Sequence, residues 1–372
     1  MTQTFDQPTA EFVSRMRRAT LGLASHELAA LVVSPGPDLR YLCGYDAIAL
    51  ERLTALILQA DSAYLVVPEL EVRAALASPV AELGIEVLTW GETDDPYRLV
   101  ADLIPGGGKA GVEARMWAAK TFALGGAGLN VTTGERALAE LRLRKSAYEI
   151  NCLRKAGAAI DRVHEQVSGF LRIGRTERAI AADISAAIIA TGHERVDFAI
   201  VASGPNGASP HHLASDRELV AGDLIVVDIG GTMPDGYCSD STRTYCLGDP
   251  EPAARDAYEV LQVAQELAVR HVVPGISAEA IDAAARSVIT AAGYGELFMH
   301  RTGHGIGLET HEEPYLVAGN ATTLEPGMVF SVEPGIYLAD QFGARIEDIV
   351  AVTETGWESF NLRPRNLIVV PT

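Results

Sequence analysis

The chain has 372 residues, more than a single hydrophobic core usually supports, so two domains are expected. Hydrophobic residues make up 48% and charged residues 21%, which fits folded soluble domains and excludes disordered or fibrous classes. Asp and Glu outnumber Lys and Arg by 49 to 30, and the formal charge of -19 would repel nucleic-acid phosphates and anionic lipid surfaces.

The sequence shows neither a targeting signal nor a Cys-x-x-Cys motif. The opening residues lack a basic stretch followed by an apolar core, and no apolar run reaches membrane-spanning length. The four cysteines form no Cys-x-x-Cys pair, so they are interpreted as buried free thiols. We therefore expect a cytoplasmic protein with neither nucleic-acid nor membrane partners.

The first part of the chain has an α/β pattern. Residues 28–126 alternate short β-branched runs with helical stretches. A glycine-rich stretch at 125–128 and a turn-rich stretch at 130–134 end this pattern, and a long, partly basic helical stretch begins at about Glu135. The sequence thus predicts an N-terminal α/β domain over residues 1–133 and a second domain over residues 134–372.

The second part of the chain repeats itself. Two alanine-rich helical stretches of equal length are each bracketed by glycines, and each starts with a hydroxyl residue suited to N-capping, Thr176 or Ser277. Further on, residues 219–230 align with residues 324–335, with a leucine, two glycines and an acid at matching offsets. Because a solenoid needs more than two units, this echo predicts one domain with pseudo-twofold symmetry.

The acids of this repeat have the pattern of metal ligands. Asp228 and Glu333 each end an apolar strand, where an unpaired carboxylate is costly to bury. Each strand is followed by a turn and a return strand that carries a further acid, Asp240 or Glu347. Two hairpins would thus present their acids face to face, with His304 as the nitrogen ligand.

Two glycines flank His304, and they would permit unusual dihedral angles and close approach of the backbone. Carboxylates with one imidazole form a hard ligand set, better matched to Mn²⁺ or Co²⁺ than to structural zinc, although zinc can occupy such sites. Two ions about 3.5–4 Å apart would activate a bridging water for amide hydrolysis.

Each acid taken alone also has a structural explanation. Asp240 could cap a turn, Glu347 could pair with Arg345, and Asp228 could pair with a neighbouring cation. The placement of all of them at equivalent points of an internal repeat favours a metal site.

At these residues the sequence resembles the metallopeptidase family of the pita-bread fold, in particular its proline-directed branch with Xaa-Pro dipeptidase (prolidase) and aminopeptidase P. The matching motifs are Val-Val-Asp-Ile-Gly at 226–230, Ser-Asp-Ser-Thr-Arg-Thr at 239–244, Gly-His-Gly-Ile-Gly-Leu-Glu-Thr-His-Glu at 303–312, Val-Glu-Pro-Gly-Ile-Tyr at 332–337 and Arg-Ile-Glu-Asp at 345–348. The resemblance covers nearly the whole chain. It implies a creatinase-like α/β N-terminal domain followed by an α+β pita-bread catalytic domain.

The resemblance also implies a role for each metal ligand. Asp228 would bind one ion, His304 and Glu333 would bind the other, and Asp240 and Glu347 would bridge both. Glu333 would also shuttle the proton of the bridging water.

Three more residues would support catalysis according to the same resemblance. His211 and His311 would hold the substrate and the tetrahedral intermediate, and Arg345 would support the acids. His212 is expected to be a bystander, because adjacent strand residues point to opposite faces. The hairpin between Asp228 and Asp240 is one residue longer than the commonest family form, which a bulge or a longer turn would absorb.

The resemblance implies hydrolysis of Xaa-Pro bonds, and an Xaa-Pro dipeptidase is the preferred interpretation. Such an enzyme would use two divalent ions, with Mn²⁺ as the first choice and Co²⁺ or Zn²⁺ as alternatives. Its substrates would be small peptides with proline at the second position, and it would form a homodimer. The main rival activity is that of aminopeptidase P on longer peptides. More distant rivals are a metal-free creatinase-like hydrolase, a methionine aminopeptidase and a non-catalytic peptide-binding scaffold.

Overall fold

The computed structural model describes residues 9–104, 106 and 108–372. The opening residues, on which the targeting expectation rested, lie outside this part of the chain. The chain forms two compact units, Met1–Arg142 and Leu143–Thr372. The domain boundary between residues 133 and 134 stays a prediction.

The N-terminal unit is built on a six-stranded mixed sheet with the order β4-β3-β2-β1-β5-β6. Its strands are β1 (Ala30–Val33), β2 (Ala55–Leu58), β3 (Ala63–Pro68), β4 (Glu86–Trp90), β5 (Lys109–Val112) and β6 (Asn130–Thr133). The helices of this part of the chain are α1 (Thr9–Gly22), α2 (Pro37–Cys43), α3 (Val72–Leu76), α4 (Pro96–Leu103), α5 (Ala118–Gly126) and α6 (Glu135–Leu143). The central strands β1 and β2 are buried at every position, as expected for apolar strands covered on both faces. The predicted α/β class is confirmed.

The C-terminal unit contains three sheets and four helices in the described residues. The four-stranded sheet β17-β9-β8-β7 comprises β7 (Arg195–Ser203), β8 (Leu224–Thr232), β9 (Cys238–Leu247) and β17 (Ile368–Val370). The five-stranded sheet β11-β10-β12-β15-β16 comprises β10 (Gly303–Gly305), β11 (Glu312–Leu316), β12 (Val329–Val332), β15 (Asp348–Val352) and β16 (Trp357–Ser359). The hairpin β13 (Gly335–Leu338) with β14 (Phe342–Arg345) forms the third sheet. The helices are α7 (Ala147–Phe170), α8 (Glu177–Ala190), α9 (Pro252–Arg270) and α10 (Ala278–Ala291).

Each half of this unit buries a helix pair mainly against its own strands. Helices α7 and α8 share an apolar core with strands β7, β8 and β9, through residues such as Ile160, Ile184 and Val227. Helices α9 and α10 share a second core with strands β12 to β15, through residues such as Leu261 and Phe330. The internal repeat of the sequence therefore corresponds to two copies of a helix pair packed on a sheet.

The backbone confirms the pseudo-twofold symmetry in detail. Helices α8 and α10 both contain 14 residues. The residue before each helix forms an isolated bridge with the equivalent partner, Thr176 with Glu218 and Ser277 with Thr323. The capping prediction is correct for Thr176, whose side chain accepts from Ala179 N, but no capping hydrogen bond is made by the Ser277 side chain.

The two hairpins differ from the prediction in where the acids lie. Asp228 is in the middle of β8, which continues to Thr232, instead of at the strand's end. The β8–β9 register has no shift, so this hairpin contains no bulge and the residues between its strands form the turn at 233–237. In the second half, hairpin β13–β14 is inserted, so Glu347 lies just before β15 instead of within a strand that returns directly from Glu333.

Among the helices in the described residues, none combines the length and the apolar character needed to cross a bilayer.

Candidate metal centre

All the site residues predicted from the sequence line one cavity of about 810 Å³ in the C-terminal unit. They are His211, Asp228, Asp240, His304, His311, Glu333, Arg345 and Glu347. They come from both halves of the repeat and from the segments between the strands, so the fold brings together side chains that are far apart in sequence.

The centre of this group is a cluster of Asp240, His304 and Glu347. Their ligand-type atoms lie within 4.8 Å of one another, and all three side chains are buried. Nε2 of His304 is 3.1 Å from Oε1 of Glu333 and 3.7 Å from Oδ2 of Asp240. Three carboxylates therefore lie close to the His304 imidazole.

The β8–β9 register places Asp228 and Asp240 on the same face of the sheet. Asp228 is opposite Thr242, and Asp240 is opposite Gly230. Side chains two positions apart share a face of a strand, so the two acids are diagonal neighbours. A Cβ at Gly230 would lie 2.5 Å from the ring of Phe198, which explains the glycine beside the acids.

Thr242 also fixes Glu347 from the other half of the repeat. The backbone N–H of Glu347 donates to Thr242 O at 3.1 Å, and Thr242 Oγ1 donates to Oε2 of Glu347 at 2.8 Å. Both the backbone and the carboxylate of Glu347 are thus held against β9. The alternative in which Glu347 pairs with Arg345 is not seen among the described residues, where Arg345 forms its ion pair with Asp228.

The glycines beside His304 serve only one of the two purposes expected of them. A Cβ at Gly303 would overlap the backbone oxygen of Ser331, and one at Gly305 would overlap that of Glu313. Neither glycine is among those with positive φ, so the expectation of unusual dihedral angles is wrong. Close packing of β10 between its neighbours requires these glycines.

Ser331 links the histidine to the nearby acid. The backbone N–H of His304 donates to Ser331 Oγ at 3.0 Å, and that hydroxyl donates to Oε1 of Glu333 at 2.9 Å. Nδ1 of His304 lies 3.1 Å from the carbonyl oxygen of Gly305. This contact fixes the ring so that Nε2 faces the acids.

Without a bound cation, the ionised forms of the acids at the centre of the cluster are unfavourable. Burial, together with the neighbouring carboxylates, raises the pKa of Asp240 and of Glu347 well above their usual values. Burial also opposes ionisation of Glu333, but the hydrogen bond with His304 outweighs it and lowers the pKa of that carboxyl to about 2. Bound cations would reverse the first effect, because positive charge favours the ionised acids.

Two carboxylate oxygens test whether cations fit the site. Oδ1 of Asp228 and Oε1 of Glu347 are buried and accept no hydrogen bond from the described residues. The other oxygen of each carboxylate is occupied, by Arg345 at 2.6 Å and by Thr242 at 2.8 Å. Buried oxygens without a donor are costly, and a divalent ion would satisfy them. The donor set therefore fits divalent metal ions.

The histidines differ in their surroundings. The His311 ring centroid is 4.1 Å from that of His304, and burial, together with the charge of His304, lowers the His311 pKa to about 4. His212 bonds to Glu177 at 2.8 Å and does not line the cavity, as expected. The expected cause, the alternation of side chains along a strand, is wrong, however, because residues 211 and 212 are not in a strand.

Several residues at the site were not predicted. Tyr337 accepts from Nη1 of Arg345 at 2.7 Å and lies 2.8 Å from Nε2 of His300, and burial raises the Tyr337 pKa to about 12. Other cavity residues that were missed are Phe198, Ile200, Leu213, His300 and Arg301. Thr242 and Tyr337 lie within the motifs quoted above and could have been suspected. The apolar cavity residues lie in segments without such a pattern.

Comparisons with known proteins identify the family. Residues 151–354 match Metallopeptidase family M24, and residues 15–144 match the Creatinase/Prolidase N-terminal domain. The chain is 53% identical to "Probable dipeptidase PepE" of Mycobacterium bovis over 97% of both chains. It is 38% identical to the Xaa-Pro dipeptidase of Lactobacillus helveticus, over 89% of this chain and 92% of that one. The prolidase structure from Thermococcus sibiricus is 36% identical, with a TM-score of 0.90 over 96% of this chain and 99% of that chain. The chain thus belongs to metallopeptidase family M24, with a creatinase/prolidase N-terminal domain ahead of a pita-bread catalytic domain.

Proposed function

We propose that this chain is an Xaa-Pro dipeptidase with two divalent metal ions, which hydrolyses the bond before proline in two-residue peptides. Membership of family M24 implies divalent metal ions. The observation that carries the proposal is the convergence of carboxylates and one imidazole on one cavity. Two buried carboxylate oxygens there have no hydrogen-bond donor among the described residues. The names of the Lactobacillus helveticus and Thermococcus sibiricus relatives support the proline specificity.

In this proposal Asp228, Asp240, His304, Glu333 and Glu347 would hold the two ions. When bound, the ions supply an activated water and polarise the scissile carbonyl. We propose Mn²⁺ as the native ion because the ligand set is rich in hard oxygen donors, with Co²⁺ or Zn²⁺ as alternatives.

The chain's own residues would carry the proton and hold the reacting groups. Glu333 has its Oε1 beside Ser331 Oγ and His304 Nε2, where its carboxylate would accept a proton from the activated water. It would pass that proton to the proline nitrogen as the bond breaks. His311, uncharged at neutral pH, would donate a hydrogen bond to the oxygen of the tetrahedral intermediate, and His211 would hold the substrate from the same cavity. Arg345 would keep Asp228 in place.

The cavity has an apolar wall suited to proline. Proline has no amide hydrogen and a fixed φ, so its recognition depends on shape and apolar contact more than on a backbone donor. Phe198, Ile200 and Leu213 line the cavity together with the acids. We assign the pyrrolidine ring to this wall.

The rival functions are less well supported. The names of the relatives favour a dipeptidase over aminopeptidase P. A metal-free hydrolase or a scaffold would not need the full set of ligands, and this chain keeps all of them. We also propose that the protein is a homodimer in the cytoplasm. The four buried free cysteines are compatible with a reducing compartment.

The test compares a dipeptide with a tripeptide. Metal-free protein is loaded with Mn²⁺ and incubated with Ala-Pro or with Ala-Pro-Ala, while free alanine is measured. The proposal predicts release from Ala-Pro that chelation abolishes. Cleavage of the tripeptide alone would favour aminopeptidase P, and cleavage of neither peptide by metal-loaded protein would favour a scaffold.

A further inference from the structure

A buried carboxylate outside the metal centre receives hydrogen bonds from the segment 203–215, which carries His211. Glu177, at the start of α8, is fully buried. Ser203 donates to it from N at 2.8 Å and from Oγ at 2.6 Å, and Ser215 donates from N at 3.0 Å and from Oγ at 2.7 Å. Asn206 Nδ2 and His212 Nε2 add contacts at 3.1 and 2.8 Å. One side chain thus binds both ends and the middle of the segment.

These hydrogen bonds keep the carboxylate charged. Burial acts to raise the Glu177 pKa, but the hydrogen bonds from Ser203 and Ser215 outweigh it and lower that pKa to about 2. Hydrogen bonds to an ionised acceptor are roughly twice as strong as those between neutral groups. The segment is therefore held by charge-assisted bonds.

Four other residues of the same segment line the cavity of the metal centre. Ser209, Pro210, His211 and Leu213 line the cavity, and Leu213 is 86% exposed. His212, between His211 and Leu213, bonds to Glu177 instead. Within this stretch, one residue thus contacts the carboxylate while the residues on either side of it line the cavity.

The internal repeat shows that the fold does not need an acid at this position. Thr176 and Ser277 occupy equivalent places, so the counterpart of Glu177 is Ala278. The two backbones behave alike, since Glu177 N donates to Arg217 O at 3.1 Å and Ala278 N donates to Thr322 O at 2.9 Å. An alanine is enough to start the second helix, so the carboxylate of the first helix serves the segment and not the helix.

The second half holds its own histidine in a similar way. Asp282, buried in α10, accepts from Thr302 N at 3.1 Å and from Thr302 Oγ1 at 2.7 Å. Thr302 lies two residues before His304. In each half, a buried helix carboxylate holds a hydroxyl residue that precedes a histidine of the cavity.

We propose that Glu177 is a positioning residue, which fixes the segment 203–215 so that His211 faces the substrate in the metal-containing cavity. The inference rests on the proposed function, because it takes His211 to contact the substrate. Glu177 acts on catalysis only through this segment and contacts neither the ions nor the peptide.

The test is Glu177→Gln in the full-length, Mn²⁺-loaded protein. A glutamine offers one acceptor oxygen and turns an NH₂ group towards the remaining donors. Amide hydrogen exchange at Ser203 and Ser215 is expected to be at least about tenfold faster, equal to about 1.4 kcal/mol. The kcat/KM for Ala-Pro should fall by a similar factor, while the bound metal stays at the wild-type amount. The control is Asp183→Asn on the same helix, because this carboxylate also pairs with an arginine, Arg175, but is half-exposed. Neither the amide exchange rates nor kcat/KM should change in this variant.

A double-mutant cycle separates positioning from general destabilisation. If Glu177 acts through His211, then Glu177→Gln should change kcat/KM by less than about twofold in a His211→Ala background. If Glu177→Gln does not fold, Ser215→Ala removes one donor without touching the carboxylate and should shift exchange and kcat/KM in the same directions.

Three results would overturn the inference: unchanged exchange in the segment, an equal effect with and without His211, or loss of metal from the variant. Exchange requires no substrate. If wild-type protein fails to cleave Ala-Pro, the proposed function falls, while faster exchange in Glu177→Gln would still identify the carboxylate as the anchor of the segment.

Discussion

Nη2 of Arg345 donates to Oδ2 of Asp228 at 2.6 Å, which joins an arginine from the second half of the repeat to an acid from the first. The other oxygen of Asp228 accepts no hydrogen bond within the described residues. Arg345 itself is fixed by Tyr337 at 2.7 Å. This pair would hold one carboxylate oxygen and leave the other for a cation.

Replacing the arginine tests this arrangement. Arg345→Met leaves Asp228 without its cation partner, and breaking a buried pair costs about 3–5 kcal/mol. The metal-free variant should therefore lose about 3 kcal/mol or more of unfolding free energy in denaturant. Mn²⁺ should restore more stability to the variant than it adds to wild type, because the ion would neutralise the same carboxylate.

The matched control is Arg178→Met, since Arg178 pairs with Asp216 at 2.8 Å on the exposed surface. Water and salt screen an exposed pair of this kind, so its loss should change the unfolding free energy little. Equal losses from the two variants would refute a special role for the Arg345–Asp228 pair.

The stability of the metal-free protein should fall with rising pH because of Asp240. Its pKa is raised in the folded state, so the folded protein binds more protons than the unfolded chain above about pH 4, and unfolding free energy decreases as pH increases. Asp240→Asn removes this contribution, whereas His164 and His311 titrate in both proteins. The difference in unfolding free energy between wild type and variant should therefore decline from about pH 4 upward. A flat difference would contradict the raised pKa.

Mn²⁺ should reverse that slope in the wild type, because metal binding requires ionised carboxylates and releases protons. Denaturant unfolding at a series of pH values with saturating Mn²⁺ measures this. If the slope with Mn²⁺ matches that of the metal-free protein, the ions do not bind at Asp240.

Gly303 should not tolerate even a methyl group. Its Cβ would overlap the backbone oxygen of Ser331, so Gly303→Ala should displace β10 at a cost of about 1–3 kcal/mol and weaken metal binding through His304. Metal titration and denaturant unfolding measure the two effects. Gly356→Ala is the control, because a Cβ there meets nothing within 4 Å in the part of the chain that the structure describes. Normal metal affinity in Gly303→Ala would show that His304 does not depend on this packing.

Leu213 should contribute to substrate binding and little to stability. It is 86% exposed at the cavity, so Leu213→Ala should leave the unfolding free energy almost unchanged. Loss of about 1 kcal/mol of apolar contact would lower kcat/KM for Ala-Pro about fivefold. Leu362→Ala, at a position 80% exposed outside the cavity lining, should have no effect on either value. Equal kinetics for the two variants would remove Leu213 from the substrate wall.

The sequence contains enough information to predict the convergence of the cavity residues, because the repeat marks equivalent acids in its two halves. It does not predict their local structure correctly. The β13–β14 hairpin separates Glu333 from Glu347, and its strands carry no alternation that distinguishes them from one return strand. Close packing, rather than backbone strain, explains Gly303, and only the neighbouring Ser331 reveals this.

Glu177 shows a further limit of sequence analysis. An acid in the first turn of an alanine-rich helix is fully explained by the helix dipole, so nothing suggests that it is buried. Its donors, such as Ser203 and Ser215, lie 26 and 38 residues away in the chain. Only the folded structure shows that they meet at one carboxylate.

The most direct test is anomalous diffraction from crystals of the protein grown with Mn²⁺. Two manganese peaks about 3.5–4 Å apart are expected, surrounded by Asp228, Asp240, His304, Glu333 and Glu347. A map with no manganese in this cavity, or with three of these side chains turned away from the ions, would contradict the account.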